Sequence, residues 1–147
     1  MMLSPRVLEA LIFATTAHDG QHDRSGMPYI LHPINVANQL ETEDEIVLGL
    51  LHDVVEDTDV SLEEIRSRFG DRIADALDLL TKRPDEDYMD YIERVATDPM
   101  AVRVKLADLT HNMDPNRHKN PDEWDFEHLE RYKKAKERLL RAWKMTS

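Results

Sequence analysis

Apolar positions along this chain recur every three or four residues and almost never every second one. Val7, Leu8, Leu11 and Ile12 follow Ser4-Pro5, which supplies an N-cap with proline at the first helical position, and together they predict a first helix. Residues 19–28 collect Gly, Ser and Pro and read as a loop. A second helix is predicted over about 33–40. Thr42 with Glu45, and Ser61 with Glu64, have the spacing of capping boxes and open a third and a fourth. Gly70 closes the fourth helix, and Asp71 starts a fifth that turns Ile73, Ala76, Leu77 and Leu80 inward. A sixth covers roughly 87–96. Asp98-Pro99 opens a seventh that runs to about Met113, and Asn120-Pro121 precedes a long final helix over about 121–145. With four glycines and no useful stretch of period two, the pattern predicts an all-α fold. It takes the form of a single multi-helix bundle over 1–147.

Composition narrows the classes without changing this picture. A length of 147 residues suits one domain, and 41% hydrophobic with 33% charged residues is a globular balance. No apolar run reaches about 18 residues, and the N-terminus has no basic, cleavable leader, so a cytoplasmic protein with no membrane partner is expected. Zero cysteines exclude disulfides, thiolate ligands and cysteine nucleophiles. The net charge of −11 argues against DNA or RNA as a partner. That charge is uneven. Residues 126–147 hold seven basic and three acidic side chains, net +4, leaving −15 on the rest. A solvated basic face is the ordinary reading of that last helix, and contact with an anionic substrate or partner is the other.

The informative stretch runs from Glu45 to Asp57. On one continuous helix at about 100° per residue, His52, Asp53, Glu56 and Asp57 fall within one arc of about 140°. Ile46, Val47, Leu50, Leu51, Val54 and Val55 lie mostly opposite. Gly49 sits one turn earlier, where a missing side chain lets another helix come close. A wet acidic face is the ordinary reading. Three carboxylates near a helix C-terminus, however, repel one another and oppose the macrodipole, so a divalent cation is the economical compensation.

Two further places could join that face. His32-Pro33 stands at the start of the second helix, where a histidine can equally be a packing residue. Asp108 and Asn112 share a face of the seventh helix, and Lys105 joins them three residues earlier. A plain Lys105–Asp108 ion pair accounts for that carboxylate as well as a metal does. His111 is expected to point away from this face. Two imidazoles with carboxylates suit a borderline divalent ion better than Mg²⁺. Such an ion acidifies water and polarises a phosphoryl oxygen, while carboxylates that are not ligands relay protons. Spacing alone does not force His32, the third helix and the seventh to meet.

Three ordered motifs carry a resemblance. Ser25-Gly-Met-Pro-Tyr-Ile-Leu-His-Pro-Ile-Asn-Val-Ala37, Leu51-His-Asp-Val-Val-Glu-Asp-Thr58 and Lys105-Leu-Ala-Asp-Leu-Thr-His-Asn-Met113 resemble the hydrolase domain of the RelA/SpoT family, within the HD phosphohydrolase superfamily. The likeness extends over about 17–113. It implies a helical bundle holding one metal, usually Mn²⁺ with another divalent transition metal as alternative, through His32, His52, Asp53 and Asp108. It implies that Glu56 and Asp57 orient or deprotonate the attacking water. Arg24, Ser25, Lys105 and Asn112 would then position the nucleotide. The implied reaction removes the 3′-pyrophosphate of guanosine tetra- or pentaphosphate, here as a stand-alone small hydrolase.

Three positions depart from the family pattern. Asp23-Arg24 stands where an Arg-Lys pair is usual, Leu109-Thr110 where Arg-Leu is common, and Asp114 where an Arg is common. Each removes positive charge beside a polyanion. They favour, as the alternative, an HD-type phosphatase acting on another nucleotide or cofactor phosphate ester. A non-catalytic helical module that binds nucleotide or protein is the third reading. Oligomeric state is left open, and Trp124, Phe126, Tyr132 and Trp143 are expected in core packing rather than self-association.

Overall fold

A computed structural model describes residues 1–117 and 126–146. Among them are α1 (Pro5–Ala17), α2 (Leu31–Asn38), α3 (Glu43–Leu51), α4 (Val54–Asp57) and α5 (Leu62–Phe69). There follow α6 (Asp71–Leu80), α7 (Tyr88–Val95), α8 (Pro99–Asn112), a 3₁₀ turn (Pro115–Arg117) and α9 (Phe126–Thr146). The described residues contain no strand. A lone antiparallel bridge between His22 and Pro28 tightens the loop before α2. None of these helices is long and apolar enough to cross a membrane.

The ends of the helices follow the residues that predicted them. Ser4, Thr42 and Ser61 accept hydrogen bonds from the backbone N–H three residues on, and Asp87 and Asp98 cap α7 and α8 in the same manner. Gly70 has φ +95°, a conformation that side-chain-bearing residues avoid, and it joins α5 to α6 with a single residue. α2 starts two residues earlier than expected. Pro33 therefore sits inside the first turn, where its missing N–H costs nothing. The Asn120-Pro121 break and Trp124 lie outside the described residues.

α3 is apolar on nearly every side, and every residue from Glu45 to Leu51 is buried. It runs through the middle of the molecule, with α1 and α2 packed on it, and α6 and α8 as its other neighbours. α8 also touches α2 and α9. The three mutually packed helices α2, α3 and α8 are the ones that carry the imidazoles and carboxylates of interest. Gly49 makes the first of these contacts close: a Cβ there would stand 2.8 Å from Leu40 Cδ1 and 3.5 Å from Ala37 Cα. α9 is anchored by Ala135 and Leu139, both fully buried. Tyr132 packs partly buried against the core, while Trp143 is 38% exposed with the Arg103 guanidinium over its ring.

One expectation needs correction. Residues 45–57 do not form a continuous helix: α3 stops at Leu51, His52 and Asp53 form a turn, and α4 restarts at Val54. The cause is local. The His52 ring donates from Nδ1 to the Gly49 carbonyl at 2.6 Å, occupying the oxygen that a continued helix would offer to the Asp53 N–H.

Candidate metal centre

The turn at His52-Asp53 points both side chains at α2 and α8. His32, His52 and Asp53 present ligand atoms that all lie within 4.8 Å of one another. Asp108 completes the group: its Oδ1 is 2.8 Å from His32 Nε2 and 3.4 Å from His52 Nε2. Asp53 Oδ2 is 3.0 Å from His52 Nε2 and 3.6 Å from His32 Nε2. His32, His52 and Asp108 are buried. The four metal positions expected from the motifs therefore converge.

The donor chemistry fits a cation. Because His52 Nδ1 donates to a carbonyl, the ring's other nitrogen faces the two carboxylates, 3.0 Å from Asp53 Oδ2 and 3.4 Å from Asp108 Oδ1, without hydrogen-bond alignment to either. Two imidazoles and two carboxylates form a mixed N/O set suited to a borderline divalent ion. Without such an ion the carboxylates favour a proton on that nitrogen. Burial works against charge on His52, but Asp53 and Asp108 outweigh it and push the pKa well above its ordinary value. Burial also opposes charge on Asp53 and Asp108. The nearby His52 keeps the Asp53 carboxyl below its usual range, and Lys105 does the same for Asp108.

The surrounding residues divide the oxygens between them. Tyr29 donates its hydroxyl to Asp53 Oδ2 at 2.6 Å. Lys105 Nζ donates to Asp108 Oδ2 at 2.8 Å, and Asn112 donates to Asp108 Oδ1 at 3.1 Å. The expected Lys105–Asp108 pair is thus present on Oδ2, and Oδ1 is shared by Asn112 and the imidazoles. Arg117 reaches back from the 3₁₀ turn to the Asn112 amide oxygen. Ser25 Oγ donates to the Arg117 carbonyl at 3.0 Å, tying the loop before α2 to the same turn.

Glu56 and Asp57 stand exposed on α4 above the buried group. Partial desolvation, then the Asp53 charge, raises both carboxyls above their ordinary values. Arg24 is exposed in the loop. Asp23 turns inward on that loop, where its Oδ1 accepts from the Ser25 and Met27 N–H groups at 2.8 and 3.0 Å.

Two readings of α8 are corrected. His111 does not point away: at i+3 it flanks Asp108 by about 60°, as Lys105 does on the other side, and its imidazole reaches α2. His111 Nδ1 lies 2.7 Å from His32 Nδ1. Burial, then His32 and Arg117, lower the His111 pKa to about 4. Leu109, read as a lost charge beside the substrate, is fully buried in the core. Tyr29 and the His18–Gln21 pair escaped the sequence reading altogether. His18 Nδ1 donates to Gln21 Oε1 at 2.9 Å, and Gln21 Nε2 donates to the Asp57 carbonyl at 3.0 Å. The only signal available for Tyr29 was its place three residues before His32, one turn along the chain.

The chain is similar to known proteins. The family model for the HD domain matches residues 10–129. A guanosine-3′,5′-bis(diphosphate) 3′-pyrophosphohydrolase of Aquifex aeolicus is 35% identical over a 145-residue alignment that covers 90% of this chain and 20% of the relative. The enzyme of that name from Haemophilus influenzae is 38% identical over 117 residues, covering 69% and 17%. The chain thus spans about a fifth of the length of these curated relatives. Among solved structures, a metazoan SpoT ortholog described as hydrolysing ppGpp superposes with a TM-score of 0.78 at 27% identity, covering 97% of this chain and 88% of the other. A Listeria monocytogenes protein gives 0.65 at 29% identity, covering 78% and 82%. With the model matched from α1 into α9, and the paired His-Asp turn between two partner helices, this chain belongs to the HD-domain family.

Proposed function

We propose that this chain is a divalent-metal-dependent phosphohydrolase that removes the 3′-pyrophosphate of guanosine tetra- or pentaphosphate, giving GDP or GTP and pyrophosphate, with Mn²⁺ as the resident ion. The observation that carries the reading is the convergence of the buried His32 and His52 Nε2 atoms on the Asp53 and Asp108 carboxylates, with no aligned hydrogen bond at His52 Nε2. Relatives named for this reaction support the substrate.

His32, His52, Asp53 and Asp108 would hold the ion, which supplies Lewis-acid polarisation of a phosphoryl oxygen and makes water more acidic. Glu56 and Asp57, with their raised carboxyl pKa values, take a proton from the attacking water. The same carboxyls return one to the departing 3′ oxygen as its bond to phosphorus breaks. Lys105 neutralises Asp108 and adds positive potential to the site, while Asn112 and Ser25 orient the nucleotide. Arg24 reaches its phosphates from the loop.

A second reading keeps the machinery and changes the substrate to another nucleotide or cofactor phosphate ester. Asp23 favours it, because its carboxylate shapes the loop where the family usually carries a cation. Reloading metal-stripped protein with Mn²⁺ and offering ppGpp beside nucleoside mono-, di- and triphosphates and NADPH separates the two. Cleavage of ppGpp is expected. Cleavage of another substrate alone would replace the first reading with the second.

A further inference from the structure

We propose that His111 is a positioning residue for the metal centre, accepting the proton of His32 Nδ1 and thereby fixing the tautomer that frees His32 Nε2 for a cation. The inference rests on the metal-site reading above. The two ring planes are inclined by 13° with centroids 4.9 Å apart, and their Nδ1 atoms are 2.7 Å apart. With the centroids that far apart and the nitrogens that close, both Nδ1 atoms lie near the line between the ring centres and point at each other, the geometry of one shared proton. If His32 Nε2 gives its lone pair to a metal, the one proton of the neutral ring must sit on Nδ1. The atom facing it is His111 Nδ1, which must then be the acceptor, with the His111 proton on Nε2. Ligating histidines generally give their second N–H to a carboxylate, a carbonyl or water. Here a second imidazole, one turn after the ligand Asp108, takes that role. α8 thus supplies a ligand to the ion and the partner that orients another ligand on α2.

Paired variants separate an acceptor from mere bulk. His111→Gln keeps an amide oxygen that can accept, whereas His111→Leu fills similar space and cannot. Mn²⁺ titration by calorimetry should show His111→Leu binding about 10- to 100-fold more weakly than wild type. His111→Gln should recover most of that loss. Circular dichroism on each variant checks that it remains helical. In wild-type protein loaded with diamagnetic Zn²⁺, nitrogen NMR should find Nδ1 protonated on His32 and unprotonated on His111. Wild-type affinity in His111→Leu, equal weakening in both variants, or a proton on His111 Nδ1 would overturn the inference while leaving the metal site standing. Failure of wild type to bind either ion would overturn both.

Discussion

His52 serves two partners at once, and each use has a measurable consequence. Its Nδ1–H is fixed on the Gly49 carbonyl, so only Nε2 can exchange a proton for a metal. Asp53 and Asp108 raise its pKa above the ordinary imidazole value against the opposing effect of burial, which favours a proton on the metal-free ring. A cation must displace that proton. Mn²⁺ binding is therefore expected to release protons at pH 7 and to tighten as pH rises toward the His52 pKa. Calorimetry in two buffers of different ionisation enthalpy measures the release, and identical heats in both would contradict it. Glu56 and Asp57 give a separate test. Their raised carboxyls must lose a proton to act as bases, so turnover should fall as pH drops through a range above the ordinary carboxylate one. Glu56→Gln with Asp57→Asn should cost at least about 100-fold in kcat while Mn²⁺ affinity stays near wild type. Full turnover in the double variant would remove both residues from the mechanism.

At the scale of elements, the close approach of α2 to α3 sets the distance between His32 and His52. Gly49→Ala places a methyl against the end of the half-buried Leu40 side chain, which can swing away, so a change within about 1 kcal/mol is expected. Gly49→Val adds branches toward Ala37 Cα and Val36 Cγ1, both 3.5 Å from the Cβ position and both in the body of α2. It should cost about 1–3 kcal/mol in chemical denaturation and weaken Mn²⁺ binding. A Val variant with wild-type stability would mean that the helices have slack. Most of these elements were legible in the sequence because caps and helical spacing act over a few residues. Ser4, Thr42, Ser61, Asp87 and Asp98 mark helix starts wherever the helices later pack. The break at His52-Asp53 was not legible, since it depends on a rotamer that delivers an imidazole N–H to a carbonyl three residues back. Convergence of α2, α3 and α8 was equally out of reach of spacing, and family resemblance supplied it. His111 and Tyr29 were missed for a related reason: each meets its partner across a helix interface, where periodicity carries no information.

Over the whole molecule, apolar burial and the Arg138–Glu93 ion pair fasten the basic last helix to the acidic bundle. Ala135 and Leu139 of α9 are fully buried, and α8, on which that helix packs, carries Asp108. Leu139→Ala should lower unfolding free energy by about 2–5 kcal/mol, with a weaker metal-dependent rise in thermal stability than wild type. An unchanged response to metal would show that α9 does not support the centre. The seven basic side chains of residues 126–147 add positive charge to a molecule of net −11 that is proposed to take a polyanion. The most direct test of the account is ppGpp hydrolysis in heavy-oxygen water by metal-stripped protein, the same protein reloaded with Mn²⁺, and Asp53→Ala. GDP and labelled pyrophosphate are expected from the reloaded protein and nothing from the other two. Intact ppGpp with Mn²⁺ bound, or label in GDP instead of pyrophosphate, would contradict it.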